Sequence, residues 1–169
     1  MQDKTRRMLL DWMRKIHQLE YAHCYQSIFW NKFENWIGIS AFIISTIVAF
    51  SYRYPPLKED WIQDYLFPSI LLIVAILTGL QTFFKPSDKA GNHKRIGFSY
   101  EKLRHQIEIF LNTDMPEKDL QRKIEIVKNE WDELKSVYVF NRYFIKGKNR
   151  VNGFGKYPEE LSFLEDLNK

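Results

Sequence analysis

Two stretches of this 169-residue sequence lack any charged residue: the 18-residue run 35–52 and the 20-residue run 65–84. A helix needs about 20 mostly apolar residues to cross the hydrocarbon core of a membrane, where it satisfies its own backbone hydrogen bonds. Core helices of soluble proteins usually carry charges on one face, so the absence of charge disfavours a soluble protein. Because only 12 residues separate the two runs, they predict a transmembrane hairpin.

Residues for catalysis or metal binding are few and poorly spaced. Cys24 is the only cysteine, which excludes an intrachain disulfide and a cysteine-based metal site. No two histidines have the i, i+3 or i, i+4 spacing of a helical metal site, so we interpret all four as surface or interface residues: His17, His23, His93 and His105. The sequence also lacks a complete phosphate-binding loop, a serine-hydrolase elbow and a metalloprotease motif. We therefore expect no enzyme activity and no cofactor.

Lysine and arginine are distributed unevenly around the two apolar runs. Residues 1–34 carry six, the loop 53–64 carries two and residues 85–169 carry 17. The positive-inside rule therefore places both termini in the cytoplasm and the loop outside. Aromatic residues occur where belts at the two membrane surfaces would lie: Tyr52, Tyr54, Trp61 and Tyr65 outside, and Trp30, Trp36, Phe83 and Phe84 inside.

Apolar residues at spacings of three and four predict amphipathic helices outside the membrane. One stripe, apolar except at two positions, precedes the first run: Leu9, Trp12, Ile16, Leu19, His23, Gln26, Trp30 and Phe33. Two stripes follow the second run: Ile96, Tyr100, Leu103, Ile107 and Phe110, then Leu120, Ile124, Val127, Trp131, Leu134 and Tyr138. Lys85-Pro86 ends the second span, and a turn at residues 113–117 separates the last two helices. Residues 157–169 are a candidate for one more short amphipathic helix.

These patterns predict an all-α membrane protein, in which a two-helix transmembrane hairpin is attached to a cytoplasmic helical bundle. We divide the chain into four segments: a cytoplasmic N-terminal helix at 1–34, the hairpin at 35–84, a cytoplasmic helical hairpin at 85–140 and a basic-aromatic C-terminal segment at 141–169. Asp64 is the expected N-cap of the second span, with Pro68 in its first turn. Striped helices mostly pack on one another, but these stripes also offer apolar surface to neighbouring subunits.

A single hairpin is too small to enclose an aqueous path, so a pore would require several copies of the chain. The spans contain no ionisable residue of the kind that marks a proton relay or a transporter site. Their hydroxyl groups either bond to a helix backbone or line a weakly polar pore. The lining candidates are the serines of the first span: Ser40, Ser45 and Ser51. We expect a closed cyclic homo-oligomer, with a tetramer favoured, because closed symmetry limits growth.

The 25 residues Leu134–Pro158 contain no Asp or Glu, and we call them the acid-free segment. Cations and aromatic residues alternate in it, a composition that holds single-stranded nucleic acid, because cations track phosphates and rings stack on bases. The same composition fits a basic segment that contacts anionic lipid headgroups or solvent, so both interpretations stay open. For a nucleotide or short oligonucleotide ligand, the candidate phosphate contacts are Arg142, Lys146, Lys148 and Arg150, and the stacking candidates are Tyr143 and Phe144.

A recognisable pattern begins at the end of the second span and consists of Leu80, Phe83, Phe84, Lys85, Pro86, Ala90, His93, Tyr100, Leu103, Glu108 and Ile109. With these residues the chain resembles the SLATT family of bacterial two-span effectors. The order of parts is also similar over roughly residues 5–112: a cytoplasmic helix, two spans and another cytoplasmic helix. Gly97 departs from the pattern, since a small helix former such as alanine is expected there.

The resemblance implies a membrane-disrupting or pore-forming effector of antiphage defence in the bacterial inner membrane, gated by a nucleotide or oligonucleotide signal. Its expected effect is membrane depolarisation followed by growth arrest or cell death. Such families often occur beside nucleotidyltransferases that make nucleotide signals. The implied partners are therefore the lipid bilayer, other copies of the chain, the signal and a nucleotidyltransferase encoded nearby. An alternative of a different class is a non-conducting, membrane-anchored scaffold that recruits a nucleotide-handling partner.

Overall fold

The computed structural model describes residues 3–53, 61–134 and 137–158. All regular structure in these ranges is helical, which confirms the predicted all-α class for the described part of the chain. The elements are α1 (Asp3–Arg53), a π-helical turn (Ile62–Leu66), α2 (Phe67–Phe84), α3 (Pro86–Asn112), α4 (Glu117–Leu134) and α5 (Asn141–Asn152). Tyr54 of the expected outer belt and the short helix expected near the C-terminus, from residue 159 on, lie outside the described residues.

Two stretches of helix are long and apolar enough to cross a membrane, one in α1 and one beginning after Asp64. Their mean hydropathies are 1.6 and 2.0, and only 11% and 6% of the residues in these stretches are buried within the chain. The core helix of a soluble protein would bury its apolar stripe. These stretches instead expose large side chains such as Phe42, Phe50 and Leu72. Both predicted apolar runs are therefore confirmed as helices with the length and composition of membrane spans.

Packing divides the chain into two compact units. One is Ile28–Ala90, which we call the span unit, and the other comprises Met1–Ser27 and Gly91–Lys169, which we call the helical unit. This division follows packing, whereas the boundaries expected at residues 34, 84 and 140 follow membrane position, so those boundaries stay a prediction. Within the span unit, α1 and α2 approach each other at Gly38, where a Cβ would lie 3.7 Å from Nε2 of Gln81.

Hydroxyl groups of the first span donate hydrogen bonds to their own helix. Ser45 and Thr46 both donate to the carbonyl oxygen of Phe42, at 2.9 and 2.8 Å. Ser and Thr in apolar helices usually bond in this way, because the carbonyl three or four residues earlier is within reach. Ser40, Ser45 and Ser51 are each half-buried. Their pore-lining role stays a prediction, and the bond from Ser45 satisfies that hydroxyl without a pore.

The second span begins differently from the prediction. Asp64 lies inside the π-helical turn and does not cap α2, whose cap position is Leu66. An N-cap side chain needs an extended backbone, whereas the π-helical turn leads directly into α2. Pro68 does lie in the first turn of α2, as predicted. The helix ends at Lys85, whose φ of 43° is left-handed, and α3 starts at the next residue, Pro86.

In the helical unit, α1, α3 and α4 share one hydrophobic cluster. Its buried members are Leu9, Met13 and Ile16 of α1, Ile96, Tyr100, Leu103, Ile107 and Phe110 of α3, and Leu120 and Val127 of α4. Trp12 and Trp131 meet edge to face, with ring centres 5.6 Å apart. Most residues of the predicted stripes therefore pack against one another. Trp30 and Phe33 instead belong to the span unit, and Tyr138 is 74% exposed because α4 ends at Leu134.

The C-terminal segment contains a helix that its sequence pattern did not indicate, α5. This helix packs on α1 at Gly147, where a Cβ would lie 2.6 Å from the carbonyl oxygen of Gln18 and 3.0 Å from the backbone nitrogen of Ala22. Real Cβ atoms essentially never come so close to backbone, so only glycine fits here without a shift of one helix. Val151, one turn later on the same face, is 1% exposed. The acid-free segment is therefore largely a folded part of the helical unit.

Candidate functional site

The six predicted ligand contacts all lie on α5, but the geometry of the helix places them on two sides. Arg142, Lys146 and Arg150 recur every four residues and form one row of exposed side chains, which we call the cation stripe. Each cation lies over an aromatic ring, as cations do above the negative face of a π-system. The distances to the ring centres are 4.5 Å for Arg142 and Tyr143, 4.4 Å for Lys146 and Tyr25, and 5.1 Å for Arg150 and Phe154.

Phe144 and Lys148 lie four residues apart on another side of α5. Phe144 helps to line a cavity of about 350 Å³, which we call the ring cavity. Its lining consists of Leu19 and His23 of α1, Tyr100 of α3, Val137, Tyr138 and Val139 before α5, and Asn141 and Phe144 of α5. The structure therefore separates the two predicted stacking residues, with Tyr143 beside the cation stripe and Phe144 in the ring cavity.

Contacts at both ends of α5 hold it against α1. Before the helix, the backbone N–H of Phe140 donates to Oε1 of Gln26 at 2.8 Å. After it, the ring of Phe154 stacks on His17 with ring centres 5.7 Å apart, and the hydroxyl of Tyr157 lies 2.9 Å from Nδ1 of His17. Phe154 and Tyr157 therefore serve packing, and only part of the aromatic content of the acid-free segment remains for a ligand.

Carboxylates from other helices neutralise one end of the acid-free segment. The ammonium of Lys156 lies 3.0 Å from Oε1 of Glu108 on α3 and lowers the pKa of that carboxyl. Nearby, Arg104 donates to Glu20 at 2.8 Å. Burial raises the pKa of Glu20, and the hydrogen bond from Arg104 opposes that rise. Lys156 is therefore engaged by Glu108 and is a weaker candidate for a ligand contact than the cations of α5.

The four histidines are expected at the surface or at an interface, and three of them are buried within the helical unit. His23 and His93 are 1% and 6% exposed, and their Nδ1 atoms lie 3.0 Å apart. One ring must donate a proton to the other, so at least one of them is neutral in this pair. His17 is also buried, at 7% exposure, whereas His105 is exposed. Spacing along one helix could not reveal the pair, because its members are 70 residues apart on two helices.

Burial lowers the pKa values of these histidines. The pKa falls from the ordinary value of 6.5 to about 4 for His17 and for His23, and burial lowers the pKa of His93 in the same direction. Positive charge from Arg104 adds to the effect at His17, and His93 adds to it at His23. The three rings are therefore neutral at neutral pH, where the His23–His93 hydrogen bond is intact.

The histidine pKa values predict that the helical unit loses stability in mild acid. Between about pH 6.5 and pH 4 these histidines bind protons in the unfolded chain but not in the folded chain. Their contribution to the free energy of unfolding is therefore complete above pH 6.5 and is lost as the pH falls toward 4. Each such group changes the free energy of unfolding by up to about 1.4 kcal/mol per pH unit. Urea unfolding between pH 7.5 and 5 measures this dependence. His23→Gln should make it shallower, and an identical slope in both proteins would contradict the prediction.

The described residues define a class: an all-α chain that combines two helices long and apolar enough to span a membrane with a folded helical unit carrying a basic helix. Within the described ranges, no group of three or more His, Cys, Asp or Glu residues is placed to hold a metal ion. No family model, no curated protein and no solved structure matches the chain. The resemblance to the SLATT family therefore stays a prediction, based on the matching residues between Leu80 and Ile109.

Proposed function

We propose that the chain is the subunit of a homo-oligomeric, pore-forming effector of bacterial antiphage defence, gated by a nucleotide or short oligonucleotide. In this proposal the activated pore depolarises the inner membrane and causes growth arrest or cell death. One observation supports this proposal above all: the chain contains both helices that could span a membrane and a helical unit with three exposed cations in a row. A ligand-gated membrane effector needs both of these parts, and the SLATT resemblance supplies the biological setting.

The cation stripe is the proposed phosphate contact, with Lys148 as a further cation on the other side of α5. Phosphates attract such a row strongly, and binding of this kind weakens as salt rises. Tyr143 and Phe144 are the proposed stacking residues. The guanidinium of Arg142 already covers Tyr143, so a base would compete with it there, whereas Phe144 borders open space in the ring cavity. This difference favours Phe144 as the stronger stacking platform.

The proposed location is the inner membrane, crossed twice, with both termini in the cytoplasm. The uneven distribution of lysine and arginine supports this orientation. The exposure of Trp36, Tyr65 and Phe83, at 75%, 73% and 80%, fits aromatic side chains at the two membrane surfaces.

Labelling with a membrane-impermeant thiol reagent tests the orientation. Single cysteines are placed at Lys58 in the loop and at Lys118, which is exposed on α4, in a Cys24→Ser background. We expect reagent added outside intact cells to modify the cysteine at position 58 and to leave the one at position 118 unmodified until the cells are lysed. The reverse pattern would contradict the proposed orientation.

The proposed assembly is a closed cyclic homo-oligomer, with a tetramer favoured. Two observations support more than one copy: one hairpin cannot enclose water, and both spans expose large apolar side chains along their length. Closed symmetry would limit the number of subunits. The mass of the detergent-solubilised protein, corrected for bound detergent, tests this point, and a mass equal to a single chain would contradict it.

A non-conducting scaffold is the alternative, in which the span unit only anchors a platform for a nucleotide-handling partner. A nucleotidyltransferase encoded nearby is the proposed partner under either function. It would make the signal that gates the pore, or it would be the enzyme that the scaffold recruits. The two functions differ in one measurable property, because only the pore conducts ions when the purified protein is alone in a lipid bilayer.

A further inference from the structure

The ring cavity has a lining that suits a flat aromatic ligand. Four of its lining side chains are rings, contributed by α1, α3, α5 and the segment before α5: His23, Tyr100, Phe144 and Tyr138. Its volume of about 350 Å³ lies at the lower end of the range for small-molecule sites. A cavity of this size admits one base with its sugar and excludes a stacked dinucleotide.

Two polar side chains give the cavity the means to recognise the edge of a ring. Asn141 is exposed at the start of α5 and offers an amide with both donors and an acceptor. His23 is 1% exposed, and its Nδ1 is engaged by His93. Nε2 is then the ring nitrogen left for a ligand, and in a neutral imidazole it either donates or accepts according to which partner holds the shared proton.

The contact with His93 also fixes the orientation of the His23 ring. A buried imidazole held by a hydrogen bond at one nitrogen presents the other in a defined direction, as in sites where a second partner sets the tautomer. Tyr100 lies beside it, with ring centres 5.4 Å apart. The His23 ring is therefore held in place before any ligand arrives.

We propose that the ring cavity binds the base of a nucleotide, with Phe144 stacking on it and Asn141 and His23 meeting its edge. This inference rests on the proposed function and assigns the base to a site that the cation stripe does not include. A hydrocarbon ligand would use the rings but would cover the Asn141 amide and Nε2 of His23 without giving either a hydrogen bond, and covering a polar group in this way is unfavourable. Lys148, one turn after Phe144 on the same side of α5, is placed to meet the phosphate of the same nucleotide.

Calorimetric titration of the full-length protein in detergent tests the assignment, with AMP, GMP, CMP and UMP as probes. Phe144→Leu keeps an apolar side chain but removes the ring. Asn141→Trp fills the mouth of the cavity. Asn149→Trp makes the same chemical change at an exposed position of α5 outside the cavity lining and serves as the matched control. Thermal unfolding of each variant establishes that it folds.

We expect at least one mononucleotide to bind the wild type, Phe144→Leu to weaken binding about tenfold or more, Asn141→Trp to abolish it and Asn149→Trp to leave it unchanged. If Phe144→Leu and Asn141→Trp bind as tightly as the wild type while glutamates in the cation stripe prevent binding, the base lies elsewhere. That result would overturn this inference and leave the proposed function standing. If the wild type binds none of the four probes at millimolar concentration, this inference is wrong, and the proposed function is then decided by ion flux.

Discussion

Alanine at Gly147 destabilises the helical unit, whereas alanine at Gly91 stabilises it. At Gly147 the new Cβ would lie 2.6 Å from the carbonyl oxygen of Gln18. The clash is with backbone, so α5 must move away from α1, at a cost of about 1–3 kcal/mol. At Gly91, exposed within α3, the new Cβ meets nothing within 4 Å, and alanine gains about 0.5–1 kcal/mol because it restricts the unfolded chain.

Thermal unfolding of the two variants in the same detergent, followed by circular dichroism, compares them directly. Each changes one glycine of a helix to alanine, so their intrinsic helix propensities change equally. A lower Tm for Gly147→Ala and a higher Tm for Gly91→Ala support the packing of α5 on α1. Equal shifts in the same direction would mean that α5 does not rest on α1 at Gly147.

Glutamates in the cation stripe should abolish binding of a short oligonucleotide, whereas the same change on α3 should not. The first variant is Arg142→Glu/Lys146→Glu/Arg150→Glu. The control is Lys94→Glu/Arg95→Glu/Lys102→Glu, which reverses the same number of exposed cations on a different helix of the helical unit. Losing three charge-assisted contacts should weaken affinity about 100-fold or more, because each contact to phosphate contributes separately.

Titration of both variants with a short oligonucleotide at several salt concentrations distinguishes local contact from overall charge. We expect the wild type and the α3 variant to keep a steep salt dependence and the α5 variant to lose both affinity and that dependence. Equal loss in the two variants would show that the ligand responds only to net charge. No loss in the α5 variant would make α5 a structural or lipid-facing helix.

The sequence was sufficient to predict the elements whose apolar residues repeat regularly. All five stripe residues of α3 are buried in the core cluster, because a spacing of three and four aligns them on one face whatever they pack against. The two spans were equally clear, since an uncharged run of this length has few alternatives. Periodicity alone does not mark where a helix ends, so the predicted stripe of α4 runs to Tyr138, although the helix ends at Leu134.

The features that the sequence does not predict depend on close contact between residues that are far apart along the chain. In α5 the closest approach to α1 is at Gly147, and a glycine inside a helix argues against helix when read alone. The His23–His93 pair and the ring cavity likewise need the relative placement of α1, α3 and α5. Gly97, the departure from the SLATT pattern, lies at another such contact, where a Cβ would be 3.3 Å from Sγ of Cys24.

Ion flux from liposomes that contain only the purified protein tests the central proposal most directly. The proteoliposomes hold potassium chloride and a potential-sensitive dye, and protease protection establishes that the protein is inserted. We predict potassium flux above that of protein-free liposomes, a change in that flux when nucleotide is added, and no such change in Arg142→Glu/Lys146→Glu/Arg150→Glu. Inserted protein that conducts no ions, with mononucleotides or short oligonucleotides present or absent, would contradict the pore and leave the scaffold.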